Sequence, residues 1–520
     1  NVYRTSKTKI NLQHLKKMYH LVYKKVRLLV ITLLLMWLPT GFFNAVLAQT
    51  LQYSRPQSLS GRITDFDVLG ETVEGILLLK WGERQQIIEA YDPISLDLRW
   101  RKELQFEHKR LQVVQANLTA EGNVLLFFTT TQRKNKILHA CLMRPDVLPI
   151  IRDVAIDTAL MRFGITPTRY EITVSQNKQH FAIIRSNYSF SGLDNVEVLT
   201  IDPANLTLLQ RQTTTIPEKY EFLEVFANNK GTVFLTKAQV RHTILDDTRQ
   251  YNNLQLAIFE PAGQKKEIEI EKGDYQLTDI RFKPDNKNNR LVAAGFYSEK
   301  NQNYSNGYFY MFIDFDNYTL SQKIFMPFKT DRINDIRDKI SVKYRDRGKI
   351  YSLAIKDLVL RNDGGVLLVG ESFFTSQQNL PRSTFDNYYS RQSITITSYY
   401  YEDIFIFSIN PDGSELWDQV LFKKQYSEKD GGYYSSFGVV NTRKNLQLLF
   451  NEDINSTTNL NSYQLTYKGD YKVLTLLNTR ERSLTIAPRY VRQISDSEAI
   501  LPAFTNRNEL LLVKATFNSP

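Results

Sequence analysis

The stretch QIIEAYDPISLDLRW, residues 86–100, holds the reading that decides the fold. It opens with an apolar run at 86–91, breaks at Asp92-Pro93, and resumes in a second run at 98–104. Proline fixes its own φ and pushes the residue before it into an extended conformation, so an acid or Asn before Pro ends one strand and opens a turn. The same punctuation returns as Ile201-Asp202-Pro203, Phe259-Glu260-Pro261 and Ile409-Asn410-Pro411. Its recurrence marks a repeated unit rather than an isolated hairpin.

Outward from that turn, short apolar runs fall into groups of four. The first group is 63–69, 76–79, 86–91 and 98–104; the second is 111–116, 124–128, 137–142 and 150–156. Further groups open near Tyr170, Tyr220, Tyr275, Ile350, Tyr433 and Ile486. The second run of each tends to be solidly apolar, as in Val366-Leu367-Leu368-Val369, which suits a strand buried on both faces. No 3.6-residue period persists, so the chain reads as all-β. Four strands repeating about every 50 residues predict a single β-propeller of four-stranded antiparallel blades. The grouping favours eight blades, with seven as the runner-up and two stacked β-domains as the other arrangement. The last group, 486–517, shows three runs, and the segment 51–59 is expected to supply the missing outer strand and close the ring.

Trp100 and Trp417 follow two of the turns and are placed to pack a large ring between blades. The pattern Ala90-x-Asp92-x-x-Ser95-Leu96-x-x-x-Trp100 resembles the Ala-x-Asp-x-x-Thr-Gly-x-x-x-Trp docking repeat of the quinoprotein-like eight-bladed propellers. That superfamily includes PQQ dehydrogenases and a non-enzymatic outer-membrane assembly factor. The copies here are degenerate: Ser-Leu replaces Thr-Gly, the third group keeps Asp202 but has Gln210 for Trp, and the Trp417 copy, which starts from Asn410, is one residue shorter. About 100 residues are also similar to exported Bacteroidota propeller proteins of unassigned function. They run from Gly364-Gly365 and Gly370-Glu371 through Asp403, Lys423-Lys424-Gln425 and the 430–436 stretch to Leu449-Phe450-Asn451. This second likeness implies a fold and no activity.

Residues 1–48 read as a secretory signal. Eight basic side chains and no acid precede the apolar run 28–38, then Pro39 and the small Ala48 at the expected cleavage point. Met18 is an alternative start, which makes 1–17 an over-extended beginning. The run is shorter than the roughly 20 residues a membrane span needs, so membrane contact is expected only through an uncleaved signal or a partner. Without that segment the net charge falls from +11 to +3, which removes the case for nucleic acid. The propeller domain is then 49–520, exported to the periplasm or to the outer membrane and beyond.

A search for chemistry finds little. The four remaining histidines, His108, His139, His180 and His242, are separated by tens of residues, and none has the close spacing that sets metal ligands on one turn or helix face. Zinc is therefore not expected, and Cys141, the single cysteine, reads as a small core residue. PQQ enzymes usually require calcium and in many cases a vicinal cysteine pair, so no cofactor is expected. Asp314-x-Asp316-Asn317 lacks the Gly and distant Glu of a calcium loop and reads as a turn. Nucleophile-elbow and phosphate-loop patterns are absent.

Two insertions interrupt the period, at 328–349 and 373–402. In the first, Ile333, Ile336 and Ile340 suit one face of a short helix. The second carries Tyr388, Tyr389, Tyr399, Tyr400 and Tyr401 and reads as a flexible excursion or an extended hairpin. The expected function is a non-catalytic scaffold that binds an envelope protein or glycan through these tyrosines. The alternative is a polysaccharide-active hydrolase with paired carboxylates at the channel, for which Asp279, Glu371, Asp403 and Glu452 are candidates.

Overall fold

Each turn-punctuated group folds as one antiparallel sheet in the computed structural model. It describes residues 49–517 apart from 60–62, 109, 147–149, 162–167, 190–191, 243–248, 301, 303, 333–349, 351, 381–393 and 455–458. The segment 1–48, read above as a signal, and Ile333, Ile336, Ile340, Tyr388 and Tyr389 lie outside the described residues.

Blade one is Asp65–Thr72, Gly75–Trp81, Gln86–Tyr91 and Leu98–Glu103, paired in sequence order. Blades two to seven repeat this order, with inner strands at Gln112–Leu118, Arg169–Val174, Tyr220–Ala227, Gln276–Asp285, Leu353–Leu360 and Gly438–Asn441. Blades four and five join into one sheet through the single pair Tyr251 and Leu277. Blade eight has Leu484–Ile486 and Arg492–Gln493 inside, then Glu498–Thr505 and Glu509–Thr516. Its outer position is filled by Thr50–Tyr53, with Thr50 opposite Thr516 and Tyr53 opposite Val513. Thr50–Tyr53 therefore covers the last edge, as the three-run terminal group predicts.

Eight hydrophobic clusters lie between consecutive blades, and this closes the ring at eight. One joins blades one and two through Leu77, Leu79, Leu126 and Phe128; the last joins eight to one through Ile500, Leu512, Ile76 and Leu78. Alternate residues of one second strand thus face opposite neighbours, which is why that strand carries no polar face.

The third-to-fourth-strand turn explains how blades dock. In blades one, three and five an Asp opens the turn and the residue four positions on, Leu96, Leu206 or Tyr318, takes positive φ and donates its N–H back to that Asp carbonyl. Blades four, six and seven use a turn one residue shorter with Gly263, Gly413 or Gly469 at the left-handed position. Asp314 belongs to the first class: its Oδ1 accepts the N–H groups of Asp316 and Asn317.

In blades two, four, five and six an outer-strand side chain donates to a carbonyl of the next blade's turn. Arg152 donates to the Asn205 carbonyl at 2.6 Å, Lys266 to that of Asn317 at 3.0 Å, and Trp417 Nε1 to that of Tyr467 at 3.0 Å. Gln322 donates to the Asp412 carbonyl, and Gln210 lies beside Gly263. Gln210 and Gln322 therefore fill the register position of the tryptophans, opposite the residue two before the one that opens the turn.

Candidate functional site

Blade six departs from the repeat. Its second and third strands, Val366–Leu380 and Ile394–Ile409, stay paired far past the blade, from Val366 opposite Ile409 to Leu380 opposite Ile394. The 373–402 insertion is thus an extended hairpin, as one of its two readings holds. A third strand, Gln425–Glu428, pairs with it, setting Tyr401 opposite Gln425 and Ser398 opposite Glu428.

Strand alternation gives this extension two different faces. On one, Phe374, Tyr400 and Tyr426 stand in register across the three strands. The Phe374 and Tyr400 rings stack at 4.6 Å, 10° from parallel, and Tyr426 follows at 5.0 Å. All three are half-buried, and the next rung on this face is Ser376, Ser398 and Glu428. On the other face Tyr401 is buried, stacked on Phe373 at 4.5 Å with the Arg489 guanidinium 4.6 Å from its ring centre. Gly432 lies against the Tyr401 ring at φ +67°, where a Cβ would come within 2.7 Å of the ring. Tyr401 therefore packs the base of the extension, while Tyr399 and Tyr400 keep partial exposure.

Below Tyr401 lies a dry ionic cluster. Glu371, fully buried, meets Lys423 at 2.8 Å and Lys356 at 2.9 Å, and Ser436 donates to it at 2.6 Å. Lys423, equally buried, also donates to the Tyr401 carbonyl and to Gln425, and its N–H is 3.3 Å from Asp403 Oδ1. Burial alone would raise the pKa of Glu371; the two lysines and Ser436 outweigh it and hold the carboxyl below its ordinary range. Gln425 passes the network to the Asn451 carbonyl at 2.6 Å, and Asn451 donates to the carbonyls of Tyr434 and Ile486. The connection between blades six and seven carries Tyr433 onto Tyr490 and Phe504 of blade eight, at 4.9 and 5.9 Å.

Of the four candidate carboxylates, the fold brings Glu371 and Asp403 together around Lys423 and leaves the other two apart. Asp279, on the inner strand of blade five, ties blades together: its two oxygens accept the N–H groups of Ile280 and of Ile355 in blade six. Burial pushes its carboxyl up to about 6 against the lowering effect of those bonds and Arg281. Glu224 in blade four makes the corresponding bridge to Phe282 of blade five and pairs with Arg281. Glu452 is exposed and accepts from Asn459.

The structural-repeat residues fall where the sequence puts them. Asp92 Oδ1 accepts the N–H groups of Ile94 and Ser95, and Asp202 that of Ala204. Asn410 differs, donating to the Ser414 hydroxyl. Trp100 packs into the cluster of blades one and two, and Trp417 into that of six and seven. Cys141 is buried among blade one and two residues, its thiol pushed up to about 12 by burial and by Asp153. Residues far apart in sequence also meet in blade two. His108 and His139, 31 positions apart, meet with ring centres 4.6 Å apart beside Asp153.

No protein-family model matches the chain, and no curated protein matches it in sequence. Among solved structures it is similar to the Dos1 propeller, at 11% identity and a TM-score of 0.45 over 90% of this chain and 96% of that one. It is also similar to the dihydro-heme d1 dehydrogenase NirN, at 12% identity and 0.35 over 91% and 79% of the two chains. The polysaccharide lyase Uly1 follows at 7% identity and 0.35 over 76% and 88%.

Proposed function

We propose that this chain is an exported, non-catalytic propeller that holds a glycan or protein of the bacterial envelope against the blade-six extension. The observation that carries the reading is the Phe374, Tyr400 and Tyr426 strip, set in register on three strands and followed by a rung of hydroxyls and a carboxylate. A row of flat rings beside hydrogen-bonding groups suits the alternating apolar faces and hydroxyl edges of a sugar chain, so a glycan is the favoured partner. The Glu371 cluster supports the reading by fixing the base of the extension, so little ordering is left for binding to oppose. The hydrolase alternative gains no comparable support: Glu371 is enclosed and held ionised by two lysines, and both oxygens of Asp279 hold backbone N–H groups.

The test is capture of envelope polysaccharide and protein by the full chain, by a variant lacking residues 376–398, and by Tyr400→Ala/Tyr426→Ala. The reading expects capture to fall at least about tenfold in the double substitution, since each stacked ring contributes about 0.5–1.5 kcal/mol beyond its burial, and to fall in the deletion, which removes the Ser376 and Ser398 rung. Unchanged capture by Tyr400→Ala/Tyr426→Ala removes the proposed surface.

A further inference from the structure

We propose that His108, His139 and Asp153 form a binding site for one divalent transition-metal ion of the zinc type, on the side of blade two that faces blade one. The three come from different segments: the connection after Leu98–Glu103, the third strand Asn135–Met143 and the fourth strand Ile150–Leu160. His139 is paired with Ala155 and Asp153 with Cys141, so His139 and Asp153 are diagonal neighbours on one face of the sheet. Their ligand atoms and that of His108 lie within 4.8 Å of one another.

Distance is the deciding quantity. His139 Nδ1 and Asp153 Oδ1 are 3.5 Å apart. That is long for a hydrogen bond between charged or neutral partners, which falls at about 2.7–3.2 Å. It is close to the roughly 3.3 Å edge of a tetrahedron with bonds of about 2.0 Å, so both atoms can ligate one ion almost without moving. His108 sits on a connection rather than a strand and has to approach by roughly 1.5 Å to complete three edges.

The surroundings are those of a built ligand. His139 is buried and stacked on its cross-strand partner Phe128, ring centres 4.8 Å apart and planes within 2°. Its Nε2 is 3.0 Å from the Thr130 hydroxyl, which can accept the Nε2 proton and leave the Nδ1 lone pair facing Asp153. Phe106 packs on Phe128 at 4.9 Å and gives the site an apolar wall. Asp153 is exposed, which leaves an entry path and a fourth position for water or a partner's ligand. Two imidazoles and one carboxylate suit zinc and its neighbours in the first transition row rather than calcium or magnesium, which take oxygen donors.

Calorimetric titration of the full chain with Zn2+, alongside Co2+ followed by its visible tetrahedral absorption, tests the site. The expected result is saturable binding at a single site that gives the cobalt spectrum. Asp153→Asn and His108→Ala should each weaken it at least about tenfold, and Thr130→Val, which touches no ion, by about tenfold through His139. Urea midpoints without metal show whether a variant is folded, and His108→Ala, on a connection, is the variant least exposed to that loss. Absence of binding below about 1 mM, a total of only about 4 kcal/mol, overturns the site. So does wild-type affinity in His108→Ala and Asp153→Asn, which would place the ion on other histidines.

Discussion

Lys423→Met tests whether the base of the blade-six extension is as dry as its geometry implies. The substitution keeps most of the side-chain volume and removes one of the two cations on Glu371. At 2.8 Å and an effective dielectric constant of about 20, the Lys423 and Glu371 attraction is about 6 kcal/mol. Taking each ion out of water costs several kcal/mol, so the pair as a whole is worth far less than that attraction. Removing one partner is a different matter: the lysine's desolvation cost disappears, but Glu371 stays fully enclosed with Lys356 and Ser436 alone. A loss of about 3–5 kcal/mol follows. The assay is equilibrium urea unfolding, with midpoints compared at constant slope. Glu371→Gln and the double variant complete a cycle. The double variant removes the enclosed Glu371 and Lys423 charges together, and Lys356, 25% exposed, can rehydrate, so it should cost about 2 kcal/mol less than the two single losses together. If Lys423→Met costs under about 1 kcal/mol, or the losses simply add, water reaches Glu371 and the cluster is no rigid anchor.

Asp279 supplies a pH signature of opposite sign to that of Glu371. Its folded pKa of about 6 lies above the roughly 3.9 of an unfolded aspartate, so the ionised form penalises folding fully above pH 6 and the penalty fades as pH falls toward 4. From this group alone, stability should rise by about 1–2 kcal/mol between pH 7 and 5, allowing for its partial exposure, and Asp279→Asn should flatten that rise in urea midpoints. An equal slope in the variant assigns the pH dependence to another group. Trp417→Ala should cost about 2–4 kcal/mol and Trp417→Phe about 1 kcal/mol, since the first loses the packing against Gly469 and the second mainly the bond to the Tyr467 carbonyl. Equal losses in the two would make the hydrogen bond, not the ring, the docking element.

The blades were legible because each strand's burial is local information. Ile76 to Leu79 must be apolar throughout, since alternate residues face blades eight and two, and no other element of this fold imposes that demand. The turns were legible only where proline marked them. Asp314 and Thr466 open turns of the same two classes without a following Pro, so conformation at Tyr318 and Gly469 carries the repeat there and the sequence pattern does not. In the docking slot, likewise, Gln210, Lys266 and Gln322 take the position of Trp100 and Trp417. What is shared is the register position; Lys266, Gln322 and Trp417 reach a neighbouring carbonyl from it, which several residue types can supply, so composition hides the equivalence.

The sites were opaque for a reason that belongs to the architecture. Spacing rules for metal ligands describe residues on one turn or one helix face, whereas a propeller stacks consecutive strands and then the next blade, so residues 30 to 80 positions apart share one face. His108, His139 and Asp153 meet across three segments, and Glu371, Asp403, Lys423 and Ser436 meet across four. The register arithmetic that finds them needs the bulges at Lys356 and at Glu402-Asp403, opposite Ser372, each of which shifts later side chains of its strand to the opposite face. Without the second bulge Tyr400 and Tyr401 would exchange faces, and Tyr401 would lose the ring it stacks on at the base of the extension. One extra residue in the Ile394–Ile409 strand therefore decides which tyrosine is structural and which is left at the surface, and Glu402-Asp403 announces it by neither a glycine nor a proline.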